Sequence, residues 1–230
     1  MQAVLFDLGN TLVSYYAAAD FHPILRKCLR GCTEVLGPAP AFDADKVFEH
    51  ALTLNRERAD CAVWPLAERL EILFGEPARD FKTRQRLTAA FLQPIFATAV
   101  VDPQALSVLA SLRAGGLATA IVSNTPWGSP SAPWRAELAR HYLLDAVDAV
   151  VFCADVGYRK PHRAPFERAL NLLGVGAADA VFVGDDPHWD ATGAEQAGIR
   201  PILLAPKATH TGRETLPIAR NLRDVLGHVL

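Results

Sequence analysis

The sequence predicts an α/β fold, in which a parallel sheet carries helices on both faces and an all-helical segment is inserted near the N-terminal end. Two observations predict the sheet: short apolar runs typical of buried strands recur along the chain, and helical patterns separate them. Strands joined through helices of about ten or more residues form right-handed βαβ units, which imply parallel strands buried on both faces. A third observation predicts the insertion, because residues 15–98 show helical periodicity without a strand-like run.

The first predicted element is a short buried strand at residues 3–6, where β-branched and aromatic residues favour a strand over a helix. Asp7 ends this apolar run, and Gly9 and Asn10 behind it are typical turn residues. A carboxylate at the end of a buried strand is costly to desolvate, so Asp7 is a candidate functional residue. The structural alternative is that Asp7 only caps the N-terminus of a helix.

Residues 15–98 contain four predicted helices. The first has apolar residues at three- and four-residue steps and ends at Gly37-Pro38, and Asp43 is a candidate N-cap of the second. The third ends at Gly75, and the fourth covers residues 80–97 although Pro94 lies near its end. We predict that this segment is a helical unit inserted into a sheet domain made of residues 1–14 and 99–230.

From residue 102 onward, predicted helices and strands alternate. Apolar periodicity predicts helices at residues 104–114, 132–142, 162–173 and 189–197. Continuous apolar runs predict strands at residues 117–122, 149–152, 180–183 and 201–204, the last of these being the final strand.

The composition is that of an ordinary globular protein, with 230 residues, 50% of them hydrophobic, and a net charge of −2. This small charge gives no electrostatic basis for binding nucleic acid or an anionic membrane. No apolar stretch reaches the roughly 18 residues of a membrane-spanning helix, and no signal peptide is visible, so a cytoplasmic location is expected.

The four cysteines follow no zinc-binding spacing. Cys28 and Cys32 are four residues apart and share a face of the first predicted helix. We interpret them as reduced thiols in packing rather than as metal ligands.

Polar side chains follow three predicted strands, and a lysine lies in a short loop after a fourth: they are Asp7, Ser123-Asn124, Asp185-Asp186 and Lys160. Because ligands bind beyond the carboxyl ends of parallel strands, these groups are expected to meet in one crevice. Several carboxylates there, with Asp190 close behind, repel one another unless cations neutralise them. Lys160 supplies one positive charge and Mg²⁺ supplies two more, a combination that suits phosphate chemistry.

In order and spacing, these residues resemble the four motifs of the haloacid dehalogenase-like hydrolase superfamily: Phe6-Asp7-Leu8-Gly9-Asn10-Thr11, Val122-Ser123-Asn124, Arg159-Lys160-Pro161, and Val183-Gly184-Asp185-Asp186 with Asp190. The resemblance implies a Rossmann-like, doubly wound parallel sheet core and makes residues 15–98 an all-helical cap domain. It also implies a hydrolase that takes Mg²⁺ as its cofactor.

The resemblance assigns a role to each motif residue. It makes Asp7 the nucleophile that forms an aspartyl-phosphate, and Lys160 the group that neutralises charge on Asp7 and the phosphate. It places the phosphate on Thr11, Ser123, Asn124 and Lys160. Its metal ligands are Asp7, the backbone carbonyl of Gly9, and Asp185, with Asp186 or Asp190 as a further ligand or support.

Gly9 departs from the superfamily pattern, because its phosphatases usually carry there a second Asp that protonates the leaving group and later activates water. Glycine transfers no proton, and general acid–base help is worth roughly 10²–10⁴ in rate. Leaving groups that need little protonation are therefore expected to be favoured, such as anomeric, acyl and aryl phosphates. Candidate replacements are His188, a water held by Asn10, or a residue of the cap. The alternative for His188 is that it is only an exposed residue at a helix start.

Specificity is expected to depend on the cap, for which the sequence offers weak candidates. Tyr15 and Tyr16 follow the first motif, and Trp127 follows the second. Asn55, Arg56 and Arg58 form a polar cluster that we place on the second cap helix, where the alternative is an ordinary solvated face.

These observations favour a Mg²⁺-dependent phosphatase acting on a small phosphorylated metabolite, for example a sugar phosphate. One alternative is a catalytically silent module that binds a phosphate or a metabolite, in which Gly9 marks lost chemistry. Another is a 2-haloacid dehalogenase, since those relatives also lack the second Asp. They work without metal, however, and the acidic pair Asp185-Asp186 argues for Mg²⁺.

Overall fold

The computed structural model describes residues 1–37, 42–205 and 216–230, and within them six strands form one parallel sheet. In chain order the strands are β1 (Ala3–Phe6), β2 (Val13–Ser14), β3 (Val100–Val101), β4 (Ala118–Ser123), β5 (Ala149–Phe152), β6 (Ala180–Gly184), β7 (Arg200–Leu204) and β8 (Ile218–Ala219). The sheet order is β5-β4-β1-β6-β7-β8, while β2 and β3 form a separate antiparallel pair. The predicted α/β class with a parallel sheet is confirmed.

The α-helices occupy both faces of this sheet and the segment between β2 and β3. They are α1 (Phe21–Leu36), α2 (Ala44–Leu54), α3 (Leu66–Phe74), α4 (Phe81–Phe96), α5 (Ala105–Ala114), α6 (Ser131–Arg140), α7 (Cys153–Val156), α8 (Ala164–Leu173), α9 (Gly193–Gln196) and α10 (Leu226–Val229). Among the described helices, none is both long and apolar enough to cross a bilayer.

Alternate side chains of β1 lie on opposite faces of the sheet, and both faces are buried. Val4 and Phe6 pack into one hydrophobic cluster, whereas Ala3 and Leu5 belong to a second cluster on the opposite face. The second cluster includes Phe166 of α8 and residues of α9, while the first includes α5 and the helices α1–α4. A sheet covered on both faces explains the nearly continuous apolar runs of its strands.

Strand β1 lies at the centre, between β4 and β6, with Phe6 in register with Ile121 and Val183. The carboxyl ends of these three strands therefore lie side by side, and the backbone N–H of Asp7 donates to O of Val183 at 2.8 Å. The strand order reverses at β1, which is where doubly wound sheets form their ligand crevice.

The four helices α1–α4 lie in the segment between β2 and β3, and their bounds agree closely with the predicted ones. The Asp43 side chain accepts hydrogen bonds from the backbone N–H groups of Asp45 and Lys46, as a helix N-cap does. Gly75 ends α3, and Pro94 is accommodated inside α4. Pro38 lies outside the described residues. The division into a core domain and a cap domain at residues 14/15 and 98/99 stays a prediction.

Cys28 and Cys32 are buried in α1 and form no disulfide, as expected for thiols that fill the core. The Cys32 thiol donates to O of Leu87 in α4 at 3.4 Å. Burial raises the pKa of Cys28 to about 12, so its thiol stays protonated at neutral pH.

One prediction in the C-terminal part was wrong. The strand at residues 200–204 is not the last, because the two-residue β8 pairs beside it, and so short a strand leaves no periodic signal. The segment predicted as a helix at residues 189–197 is helical, but it begins as a π-helical turn, Pro187–Thr192, before the single α-helical turn α9. Such π-turns insert an extra residue and are common at functional sites.

Candidate active site

A cavity of about 350 Å³ opens at the carboxyl ends of β1, β4 and β6. Most of the residues singled out from the sequence line it: Asp7, Gly9, Tyr15, Tyr16, Ser123, Asn124, Trp127, Lys160, Asp185, Asp186 and Asp190. Thr11, Arg56 and His188 lie in the described part of the chain but do not line this cavity. The carboxyl ends of the parallel strands thus bring together residues that are far apart in the sequence.

The Lys160 ammonium is the centre of the polar cluster. Its Nζ lies 2.6 Å from Oδ1 of Asp7 and 2.6 Å from Oδ1 of Asp190, and all three side chains are buried. Burial alone lowers the pKa of Lys160, but its attraction to Asp190 and Asp7 outweighs burial and raises it to about 12. Lys160 is therefore charged at neutral pH.

Three carboxylates cluster at this ammonium, and two of them, those of Asp7 and Asp190, contact it. Oxygens of Asp7, Asp185 and Asp190 all lie within 4.8 Å of one another. Burial, together with the nearby charges of Asp7 and Asp190, raises the pKa of Asp185 to about 7. When ionised, the three carboxylates and Lys160 sum to −2, and carboxylate oxygens are the ligands that Mg²⁺ prefers. The donor chemistry and the charge both fit one divalent cation.

The raised pKa of Asp185 predicts a pH-dependent stability of the metal-free protein. A group whose pKa is higher in the folded state stabilises it fully below the unfolded pKa and loses that effect as pH rises through about 7. In EDTA, we expect the Tm of the wild type, relative to that of Asp185→Asn, to fall between about pH 4 and about pH 7. Calorimetry checks this, and parallel pH profiles of the two proteins would contradict it.

Asp186 plays a different part from its neighbour. Its Oδ1 accepts hydrogen bonds from the backbone N–H groups of His188 (2.7 Å) and Trp189 (2.8 Å), so it caps the π-turn. Asp186 is not among the clustered acidic residues, and its own N–H donates to Oδ2 of Asp190 at 3.1 Å. The imidazole of His188 is exposed, and Trp189 lines the cavity in its place.

Ser123 and Asn124 end β4 beside the lysine. Ser123 is buried at the cavity wall, with its hydroxyl 3.3 Å from O of Asn124. The Asn124 side chain forms two hydrogen bonds with the backbone of Lys160: Oδ1 accepts from N at 2.8 Å and Nδ2 donates to O at 3.2 Å. Asn124 therefore positions the lysine loop, a role that we did not predict from the sequence.

The turn after Asp7 contains Gly9 and Thr11, which differ in their surroundings. Thr11 is buried, and its Oγ1 has no hydrogen-bond partner in the described structure. Asn10, with φ of 56°, is the turn residue in the left-handed region, and Gly9 is not. A Cβ placed on Gly9 would meet nothing within 4 Å. The backbone thus does not require glycine at position 9.

The predicted specificity residues divide into two groups. Tyr15, Tyr16 and Trp127 line the cavity, and the buried Oη of Tyr15 has no hydrogen-bond partner in the described structure. Asn55 joins them, since its Oδ1 accepts from Nε1 of Trp127 at 3.0 Å. The placement of the polar cluster on the second helix was wrong, because α2 ends at Leu54 and Arg56 is exposed beyond it.

Two further charged residues line the cavity, Glu57 and Arg159, and we had assigned neither of them a role. Oε2 of Glu57 lies 3.1 Å from Nε of Arg159. Arg159 carried a signal in the sequence, because it directly precedes Lys160. Glu57 carried none, since the contact joins residues about a hundred positions apart.

Comparison with known proteins agrees with this geometry. The sequence profile of the haloacid dehalogenase-like hydrolases matches residues 1–198. The chain is 31% identical over 211 residues to phosphoglycolate phosphatase of Rhodospirillum rubrum, covering 89% of this chain and 79% of the relative. It is 27% identical to glyceraldehyde 3-phosphate phosphatase of Methanothermobacter thermautotrophicus, covering 93% and 90% of the two chains.

Solved structures show the same fold over the whole chain. A phosphatase of this superfamily from Thermococcus onnurineus superposes with a TM-score of 0.72 at 23% identity, covering 100% of this chain and 98% of the other. A 2-haloacid dehalogenase from Pseudomonas syringae superposes with a TM-score of 0.70 at 25% identity, covering 100% of both. The chain belongs to the haloacid dehalogenase-like hydrolases and is an enzyme of the hydrolase class.

Proposed function

We propose that the protein is a Mg²⁺-dependent phosphatase that hydrolyses a small phosphorylated metabolite through an aspartyl-phosphate on Asp7. The observation that carries the proposal is the contact between Lys160 and the Asp7 carboxylate, in a small cavity beside two further carboxylates. The phosphatase names of the relatives from Rhodospirillum and Methanothermobacter support the same reaction class.

In this proposal the Asp7 carboxylate attacks phosphorus, the P–O bond to the leaving group breaks, and the phosphoryl group is carried on Asp7. Water then attacks phosphorus, releasing inorganic phosphate and regenerating the carboxylate. Lys160 holds the carboxylate in place and offsets negative charge as the phosphoryl group is transferred. Dividing the reaction into two displacements replaces one difficult step with two easier ones.

We assign the phosphate oxygens to the Ser123 hydroxyl, the backbone N–H of Asn124, and Lys160. All three residues line the cavity next to Asp7. Thr11 lies behind the cavity wall, so the proposal does not include it.

Mg²⁺ would be held by Asp7, the backbone carbonyl of Gly9 and Asp185, with Asp190 nearby. When bound, the cation supplies positive charge that offsets the repulsion between a carboxylate nucleophile and a phosphate dianion. Asp190 lies within the acidic cluster whereas Asp186 caps the π-turn, so we assign the supporting role to Asp190.

Residues 15–98 would act as the cap that recognises the leaving group, through Tyr15, Tyr16 and Asn55. Because position 9 carries no proton donor and the His188 side chain is not at the cavity, we expect leaving groups that depart without protonation to react fastest. Aryl, acyl and anomeric phosphates have this property, whereas simple alkyl phosphates do not.

A panel of phosphate esters, assayed with Mg²⁺ and with EDTA, tests the proposal. We expect Mg²⁺-dependent release of inorganic phosphate, with p-nitrophenyl phosphate and an acyl phosphate hydrolysed faster than simple alkyl phosphates. No turnover of any ester, activated aryl phosphates included, would leave a binding module as the better description. Metal-independent halide release from a 2-haloacid would instead favour the dehalogenase reaction. That reaction is the second candidate because of the similarity to the Pseudomonas dehalogenase structure.

A further inference from the structure

A cluster of three charged residues, Glu57, Arg69 and Arg159, adjoins the cavity. Glu57 is placed between two arginines, with Oε2 3.1 Å from Nε of Arg159 and 3.8 Å from Nη2 of Arg69. The Arg69 side chain is fully buried, whereas Arg159 and Glu57 both line the cavity. We call these three residues the arginine cluster.

The segment that follows α2 is fastened to both arginines. Arg69 donates from Nη1 to O of Leu54 at 2.8 Å and from Nη2 to O of Arg56 at 3.3 Å, which fixes the backbone on the N-terminal side of Glu57. Farther along, the N–H of Arg159 donates to O of Cys61 at 2.8 Å. The arginine cluster is thus held by backbone contacts, and its geometry does not depend on the ion pairs alone.

The cavity adjoins two charged clusters of opposite formal charge. Around Lys160, three carboxylates leave a negative sum that suits a divalent cation and then a phosphate. In the arginine cluster, two guanidinium groups face one carboxylate, which leaves a formal charge of +1. A partly buried surplus charge favours a ligand that carries one negative charge there.

The guanidinium of Arg159 also has unused hydrogen-bonding capacity. Its side chain is only 12% exposed, and the one hydrogen bond it donates to a described residue runs from Nη1 to O of Thr125 at 3.1 Å. Nε is buried without a hydrogen-bond acceptor, despite its proximity to Glu57. Buried donors without acceptors are costly, so a ligand oxygen at this position is stabilising.

We propose that Arg159 binds a carboxylate on the leaving-group part of the substrate, and that Glu57 is a positioning residue that orients the guanidinium for it. The surplus of one charge matches a carboxylate rather than a second phosphate dianion, and a planar guanidinium matches the two oxygens of a carboxylate. The proposal rests on the phosphatase function, and it narrows the substrate to a small phosphorylated carboxylic acid.

Matched substrates test this proposal. We compare kcat/KM for 3-phosphoglycerate and glycerol 3-phosphate, which differ mainly by a carboxylate in place of a hydroxymethyl group. Charge-assisted hydrogen bonds imply a preference of about 10- to 100-fold for the carboxylate in the wild type. Arg159→Gln should bring this ratio close to 1, Arg159→Lys should retain part of it, and Glu57→Gln should alter KM for the acid more than its kcat.

Arg163→Gln is the control, because Arg163 is 68% exposed in an ion pair with Glu167 and does not line the cavity. It should leave the ratio at the wild-type value. A wild-type ratio near 1, or a ratio that Arg159→Gln does not change, would overturn the carboxylate site. Hydrolysis of p-nitrophenyl phosphate separates the two proposals: if it proceeds while the ratio stays near 1, only the carboxylate site fails. If neither it nor any other ester is hydrolysed, the phosphatase function fails.

Discussion

Replacing Asp7 with asparagine is expected to lower the hydrolysis of every phosphate ester by roughly 10⁴–10⁶-fold, as the loss of a covalent nucleophile does in other hydrolases. An amide of the same size keeps the cavity filled but does not attack phosphorus. The measurement is kcat with saturating Mg²⁺ on p-nitrophenyl phosphate, together with intact-protein mass spectrometry after acid quenching. The wild type should carry one trapped phosphoryl group, and Asp7→Asn should carry none.

Asp7→Asn should remain folded, which makes the loss interpretable. Lys160 keeps its contact with Asp190, the backbone hydrogen bond of residue 7 to Val183 does not involve the side chain, and the substitution removes one of three mutually repelling carboxylates. Asp145→Asn, at an exposed position outside the cavity, is the matched control and should behave like the wild type. Activity of Asp7→Asn within about tenfold of the wild type would exclude Asp7 as the nucleophile.

Replacing Gly9 with aspartate is expected to raise kcat/KM for simple alkyl phosphates by roughly 10²-fold or more, because it introduces the missing general acid. The structure accommodates this side chain, since Gly9 has no positive φ and a Cβ there meets nothing within 4 Å. Position 9 also faces the cavity. Aryl phosphates, whose leaving groups need little protonation, should gain much less.

Gly9→Asn is the control for this gain, because asparagine has nearly the same size as aspartate but transfers no proton. Both variants are compared at saturating Mg²⁺, since another carboxylate adds to the negative charge of the cluster. A dependence of log kcat on leaving-group pKa that is steep in the wild type and flatter in Gly9→Asp would support the interpretation. Equal gains for Asn and Asp would mean that the gain does not come from proton transfer. No gain for alkyl phosphates would mean that another group already protonates the leaving group.

The sequence alone was sufficient to predict the strands that carry the site. Asp7, Ser123 and Asp185 each follow an apolar run, and parallel strands bring their carboxyl ends to one edge, so their convergence was predictable. The helical segment was equally predictable, since its apolar periodicity and the helix N-cap at Asp43 are local properties. Hydrophobic burial has the period of the element that is buried, which is why a local pattern reveals it.

The contacts of the side chains around the leaving group could not be predicted from the sequence, and only the tertiary structure determined them. Asp186 and Asp190 look alike in sequence, but the π-turn directs Asp186 to a cap and Asp190 to Lys160. The contacts of Glu57 with Arg159, and of Asn55 with Trp127, join distant segments and leave no local trace. Such contacts depend on how whole elements pack together, and no spacing within one segment encodes that packing.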